Sequence, residues 1–249
     1  MKKLLILLLP GLLFSACEQA DVKLKEAEPI SLKAGMEVRV QQDNEFALEL
    51  FSRTVASTDK KNVFISPLSV SIALGMAWNG ADNETRTEME TALKMSGMTV
   101  DQINEYYQIM QTALPDVDPS TKLNIANSLW YRQGFAVKNT YLQVNKNYFN
   151  AEIRELDFAK AGAVDTINQW CADKTNNLIK EPLDQISAEA VMYLINAIYF
   201  KGIWVKQFDK KNTFETNFNA EGGGQVRVNM MQQLDTFAYY QDEMAQYLD

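Results

Sequence analysis

Histidine is absent from the 249 residues, and this absence excludes more chemistry than any other feature of the composition. Without an imidazole, the chain cannot assemble a Ser-His-Asp or Cys-His catalytic arrangement or a histidine-ligated metal site. Cysteine is nearly absent as well. Cys17 and Cys171 are its only occurrences, so neither a disulfide framework nor a zinc or iron–sulfur spacing is available. Basic runs are missing too. The 24 Lys and Arg stand against 32 Asp and Glu, for a formal charge of −8. An acidic chain without clustered cations does not fit a nucleic-acid binder, nor one that docks electrostatically on anionic lipid. No phosphate-cradling glycine motif occurs, and the carboxylates show no diagnostic pairing. The expectation is a protein that is not an enzyme and carries no cofactor.

What is present suits a globular body. Hydrophobic residues make up 47% and charged residues 22% of the chain, enough for one sizeable domain.

The N-terminus reads as an address. Lys2 and Lys3 precede an apolar run from Leu4 to Leu13, broken by Pro10 and Gly11. That pattern is a secretory signal, too short for a transmembrane span. Phe14-Ser15-Ala16-Cys17 resembles the bacterial lipobox, in which the cysteine takes the lipid after cleavage; Phe14 departs from the commoner aliphatic residue. An ordinary signal with an incidental cysteine is the alternative. The division expected is a lipoprotein signal peptide over 1–16, a lipid-anchored polar tether over 17–42, and a folded body over 43–249. The protein is then exported and held in the cell envelope through Cys17.

Along the body, Asp43 or Asn44 is positioned to cap a helix carrying Phe46, Leu50, Phe51 and Val55. Asn62-Val63-Phe64-Ile65 reads as a short strand. Ser66-Pro67 opens a helix over 68–78 that is apolar nearly all round. Thr85 to Glu88 has capping-box spacing. A helix is expected from Val100 to Ala113, stopping near Pro115. A strand over 123–131 places Leu123, Ile125, Asn127, Leu129 and Tyr131 on one face. A helix over 139–149, a strand over 153–158 and a long helix over 164–179 follow, the last with Ile167, Cys171 and Leu178 on one face. Cys171 reads as a small buried hydrophobe, since nothing nearby would activate it. Met192 to Phe200 is apolar on both faces, as a covered central strand must be, and is interrupted by Asn196. Glu221 to Gly224 reads as a loop between Thr213–Asn219 and Val226–Met231, and Phe237 to Tyr240 as one more strand. The order of helices and strands is α+β.

Several of these segments together resemble one family. Asn62-Val63-Phe64-Ile65-Ser66-Pro67-Leu68-Ser69, Gly80-Ala81 with Thr85 and Met89, and Leu123-Asn124-Ile125-Ala126-Asn127-Ser128-Leu129-Trp130 occur in order. They are followed by Asn168, Trp170, Thr175 and Ile179, then by Leu194 to Gly202 with Trp204 and Phe208, then by Val228-Asn229-Met230-Met231. The run is similar to the first two-thirds of a serpin. The resemblance implies helices packed around a large central β-sheet, with smaller sheets beside it. It also implies inhibition of serine or cysteine endopeptidases without catalytic residues: a bait loop is cut, then inserts as a new strand into the sheet. By the same resemblance Ser66, Ser69 and Asn196 match the polar, shutter-like cluster behind the sheet that controls its opening. Trp204 matches a breach-like aromatic where the loop first enters. Plainer readings stand beside these: Ser66 caps a helix, Asn196 is a satisfied core amide, and Trp204 packs.

The family's alanine-rich hinge and bait loop find no match here, nor does its shutter histidine. The expectation is a serpin lacking its C-terminal third, poorly folded and unable to trap a protease by itself. The alternative is a non-inhibitory envelope lipoprotein that uses the same body as a binding module. The sequence does not name a target protease.

Overall fold

In the computed structural model, residues 27–204, 206–220 and 222–248 are described. Cys17 and the expected signal lie outside them. Among the described residues the helices are α1 (Glu37–Ala56), α2 (Pro67–Trp78), α3 (Asn83–Ala92), α4 (Val100–Ala113), α5 (Asn139–Phe149) and α6 (Ala163–Lys174). The strands are β1 (Lys122–Arg132), β2 (Glu152–Leu156), β3 (Met192–Lys201), β4 (Phe214–Asn219), β5 (Gln225–Met230), β6 (Tyr239–Gln241) and β7 (Gln246–Leu248). None of these helices is long and apolar enough to cross a membrane.

The strand alternation determines the layers. β1 runs parallel to β2, with Ser128 opposite Glu152, and antiparallel to β3, with Asn127 opposite Asn196. Successive side chains on a strand point to opposite faces. Ile125, Leu129 and Tyr131 of β1, with Met192 and Leu194 of β3, therefore join the core built by α1, α2, α4 and α5. Trp130 and Ala197, with Ala126, Tyr193 and Ile195, face the other way and pack on Ile167, Trp170 and Cys171 of α6. The sheet is thus covered by a helix bundle on one side and by α6 on the other.

The strand over 192–200, expected in the middle of the sheet, stands at the end of the row. The order among the described residues is β2-β1-β3, and β1 is the central strand. The smaller expected sheets are two hairpins, β4-β5 and β6-β7. Gly222 and Gly223 turn the first of these with φ of 86° and 85°, a conformation glycine adopts without penalty.

Four local expectations are corrected. First, α1 starts at Glu37, inside the stretch expected to be tether. Met36 and Leu32 pack into the core, Glu28 N–H donates to Val117 O at 2.9 Å, and Lys33 pairs with Glu105 at 2.8 Å. Asp43 is therefore mid-helix and its carboxylate binds Arg39, so neither it nor Asn44 caps. Second, α3 is capped by Asp82, whose carboxylate accepts from Asn83 N–H at 2.9 Å. The helix is already under way at Thr85, so the expected capping box does not form. Third, α6 ends at Lys174. Asn176 and Asn177 take φ of 52° and 61°, the left-handed conformation that asparagine tolerates and that terminates helices. Leu178 is consequently 73% exposed rather than on the buried stripe. Fourth, residues 62–65 pair with no strand among the described residues, and Phe64 is 99% exposed.

Candidate functional site: a hydrogen-bonded chain under the sheet

Ser66 is extended, with φ of −117°, and Pro67 follows at the first helical position of α2. Proline lacks an N–H there that would be unpaired anyway. The Ser66 hydroxyl accepts from Ser69 N–H at 3.3 Å, so it does cap the helix. That first turn directs Ser69 at the sheet, where its Oγ donates to Asn196 Oδ1 at 2.5 Å.

From Asn196 the chain continues sideways. Its Nδ2 donates to Asn127 Oδ1 at 2.7 Å, across the β1–β3 pair. Asn127 is only 3% exposed. It gives its Nδ2 hydrogens to Gln111 Oε1 at 2.5 Å and Phe149 O at 2.6 Å. Gln111, on α4, donates in turn to Tyr107 O at 2.9 Å and Tyr148 O at 3.3 Å. One line of side chains therefore links α2, β3, β1, α4 and the end of α5.

Of the residues singled out in the sequence, Ser66, Ser69 and Asn196 are brought together. The sequence pattern sets Asn127 on the core-facing side of its strand without marking it as a site residue, and it gives no sign of Gln111. The available signal is an amide on the core-facing side of each strand, Asn127 and Asn196, but their meaning depends on a register that only the fold reveals. Trp204 stands apart: it is 61% exposed and meets Phe208 edge-on at 5.2 Å.

The chain is made of hydroxyls, amides and backbone carbonyls. It offers no nucleophile–base pair, and its chemistry is that of a fastening. Each neutral bond contributes about 1 kcal/mol net, whereas an amide left unpaired in the interior costs about 1–3 kcal/mol. Such a network holds firmly while complete and fails cooperatively once broken.

Two titratable clusters flank it. Arg39, fully buried, donates to Leu93 O at 3.0 Å and Lys94 O at 2.9 Å and pairs with Asp43 at 2.5 Å. The Tyr106 hydroxyl donates to Asp43 Oδ2 at 2.7 Å; burial, reinforced by that carboxylate, pushes the phenol well above its ordinary value. On the opposite face, Glu152 of β2 pairs with Lys174 of α6 at 2.6 Å and with Arg154 at 2.9 Å. Cys171 is buried on the sheet-facing side of α6, and burial raises its thiol, as for a small hydrophobe.

Known proteins share the fold. The family model described as serpin (serine protease inhibitor) matches residues 41–249. Neuroserpin of Gallus gallus is 34% identical over 198 residues, covering 78% of this chain and 48% of its own. Iripin-3 of Ixodes ricinus is 38% identical over 184 residues, covering 70% and 46%. An uncharacterized serpin-like protein of Methanosarcina acetivorans is 31% identical over 214 residues, covering 83% and 50%. The crystal structure of tengpin, a thermophilic serpin, in the native state superposes with a TM-score of 0.76 at 35% identity, covering 89% of this chain and 56% of that one. Its latent state gives 0.76 at 34%, covering 87% and 58%. The chain spans about half the length of the curated relatives it matches. A model match over most of the sequence, in the same order and on the same architecture, shows that the chain belongs to the serpin family.

Proposed function

We propose that these residues are the strand-accepting body of a serpin-type inhibitor of serine or cysteine endopeptidases, exported and tethered to a bacterial cell envelope through a lipid on Cys17. The observation that carries the reading is the Ser69–Asn196–Asn127 chain. It fastens helix α2 to β3, the strand whose far edge is unpaired among the described residues. A sheet that must admit a new strand needs helices it can grip and release, and a line of individually weak neutral bonds does this without a chemical step. In this reading Ser66, Ser69 and Asn196 control the opening, and Trp204 lies on the entry route of the inserting segment.

The 249 residues contain no stretch resembling the alanine-rich hinge of the family, so the bait is not among them. The test is incubation with trypsin, chymotrypsin, subtilisin and papain, followed by denaturing electrophoresis. The polypeptide of residues 17–249 is expected to form no stable complex. A version extended by a serpin hinge and bait loop is expected to show an acyl-enzyme band with at least one protease. Absence of that band in every extended version, with the protein folded, overturns the inhibitor reading. It favours a binding module instead, as the 31% identity to corticosteroid-binding globulin of Pongo abelii would then suggest. Anchoring is read separately. Metabolic labelling with palmitate in a bacterial host should mark the protein, and Cys17→Ser should abolish the label and release it from membranes.

A further inference from the structure

The polar chain under the sheet has a direction, and the direction is set from one end. Three of its acceptors are backbone carbonyls, which cannot turn over: Tyr107 O, Tyr148 O and Phe149 O. Gln111 must present its NH2 to the first two, so its Oε1 faces Asn127. Asn127 must then present its NH2 to Gln111 and Phe149 O, leaving its own oxygen toward Asn196. Asn196 answers with NH2, turning its oxygen to Ser69, whose hydroxyl has to donate. Each amide has two orientations in isolation, but here every member has one.

We propose that Gln111 is a positioning residue for the sheet: its amide orients Asn127 and thereby pins the β1–β3 strand pair to α4 and α5. This inference rests on the reading of the sheet as one that must shift over its helices. Gln111 touches neither Asn196 nor Ser69, and it acts on them only through Asn127. Gln108 offers a natural comparison. It lies on the same helix and also ties α4 to α5, donating to Asn147 O at 2.9 Å, yet among the described residues it makes no hydrogen bond to a strand.

The experiment is hydrogen–deuterium exchange of the backbone amides at 125–128 and 195–198 in Gln111→Met, Gln108→Met and Gln111→Glu, each in the full chain. Gln111→Met should accelerate exchange at both strand segments by roughly ten-fold, the loss of a bond worth about one factor of ten. Gln108→Met should leave both segments within about two-fold of the parent, on the same scale. Gln111→Glu keeps an oxygen for Asn127 and loses only the bonds to Tyr107 O and Tyr148 O. It should loosen the end of α4 while the strands stay protected. Three results overturn the proposal: no acceleration in Gln111→Met, equal acceleration in Gln108→Met, or strand exposure in Gln111→Glu as large as in Gln111→Met. The measurement reads the strands directly and needs no protease, so its outcome is independent of whether the inhibitor assignment survives.

Discussion

Asn127 and Asn196 face each other across the β1–β3 ladder, and the Nδ2 of Asn196 lies 2.7 Å from the Oδ1 of Asn127. Two side-chain amides meet at the centre of the strand pair, each bonded to the other and to the helix layer beneath. Asn127→Leu removes three partners at once, stranding Gln111 Oε1, Phe149 O and Asn196 Nδ2. We expect a loss of about 3 kcal/mol in urea unfolding, since each interior group left unpaired costs about 1–3 kcal/mol and some can reach water. The double variant Asn127→Leu/Asn196→Leu should cost less than the sum of the two single changes, because it also removes one of the stranded amides. Strict additivity would mean that the two amides do not interact.

Gly75 lets α2 lie against aromatic rings of α4 and α5. A Cβ placed there would lie 2.9 Å from the Tyr107 ring and 3.3 Å from Phe149. Both rings are fully buried and pack on each other at 5.4 Å, tilted by 37°, so neither can swing aside. Gly75→Ala should therefore destabilise the protein by about 1–3 kcal/mol, despite alanine's better helix propensity. Thermal unfolding followed by circular dichroism would check it, and an unchanged or raised midpoint would show that the two helices are not packed as tightly as the geometry requires.

These two sites show what the sequence could and could not convey. The limits of α4, β1 and β3 are legible because each carries its own pattern: a helical stripe that stops near Pro115, a period of two that sets Leu123, Ile125, Asn127, Leu129 and Tyr131 on one face, and an apolar run of strand length. The start of α1 was not legible, because Arg39 reads as a solvent-facing charge that breaks the pattern. In the fold it is fully buried and neutralised by Asp43 and two carbonyls. Ser66 and Asn196 stood out as a cap and as a lone amide. Asn127 and Gln111 did not, because their role is created by contacts between residues far apart in the chain.

Arg39 carries a prediction of its own. Its guanidinium joins α1 to the carbonyls of Leu93 and Lys94 and, through Asp43, to Tyr106 on α4. Arg39→Met keeps much of the apolar stem and removes the charge. Asp43 is then left beside a buried phenol with no cation, so the cost should be about 3–5 kcal/mol, typical of breaking a buried pair from one side. Arg39→Met/Asp43→Leu should recover part of it. A denaturation series that finds the double variant no better than the single one would show that the helix connection, rather than the orphaned carboxylate, carries the energy.

The clamp between α6 and β2 should respond to acid. Burial works against the charged form of Glu152, but hydrogen bonds from Lys174 and Arg154 outweigh it and hold the carboxyl below its ordinary value. A group whose folded value is depressed contributes stability above its unfolded value and loses it as the pH falls through the folded one. The contribution of Glu152 should thus be complete at neutral pH and fade below the ordinary glutamate range. Because the pair is partly solvated, its size should be under about 1 kcal/mol. Glu152→Gln should be less stable than the parent at neutral pH, and the gap should close as the pH falls through the depressed value of the Glu152 carboxyl. Lys174→Met should narrow the same gap, since it removes the cation that crosses from helix to strand. Stability curves that stay parallel from neutral pH to acid would separate Glu152 from the clamp and leave α6 held by Ile167 and Trp170 against the sheet alone.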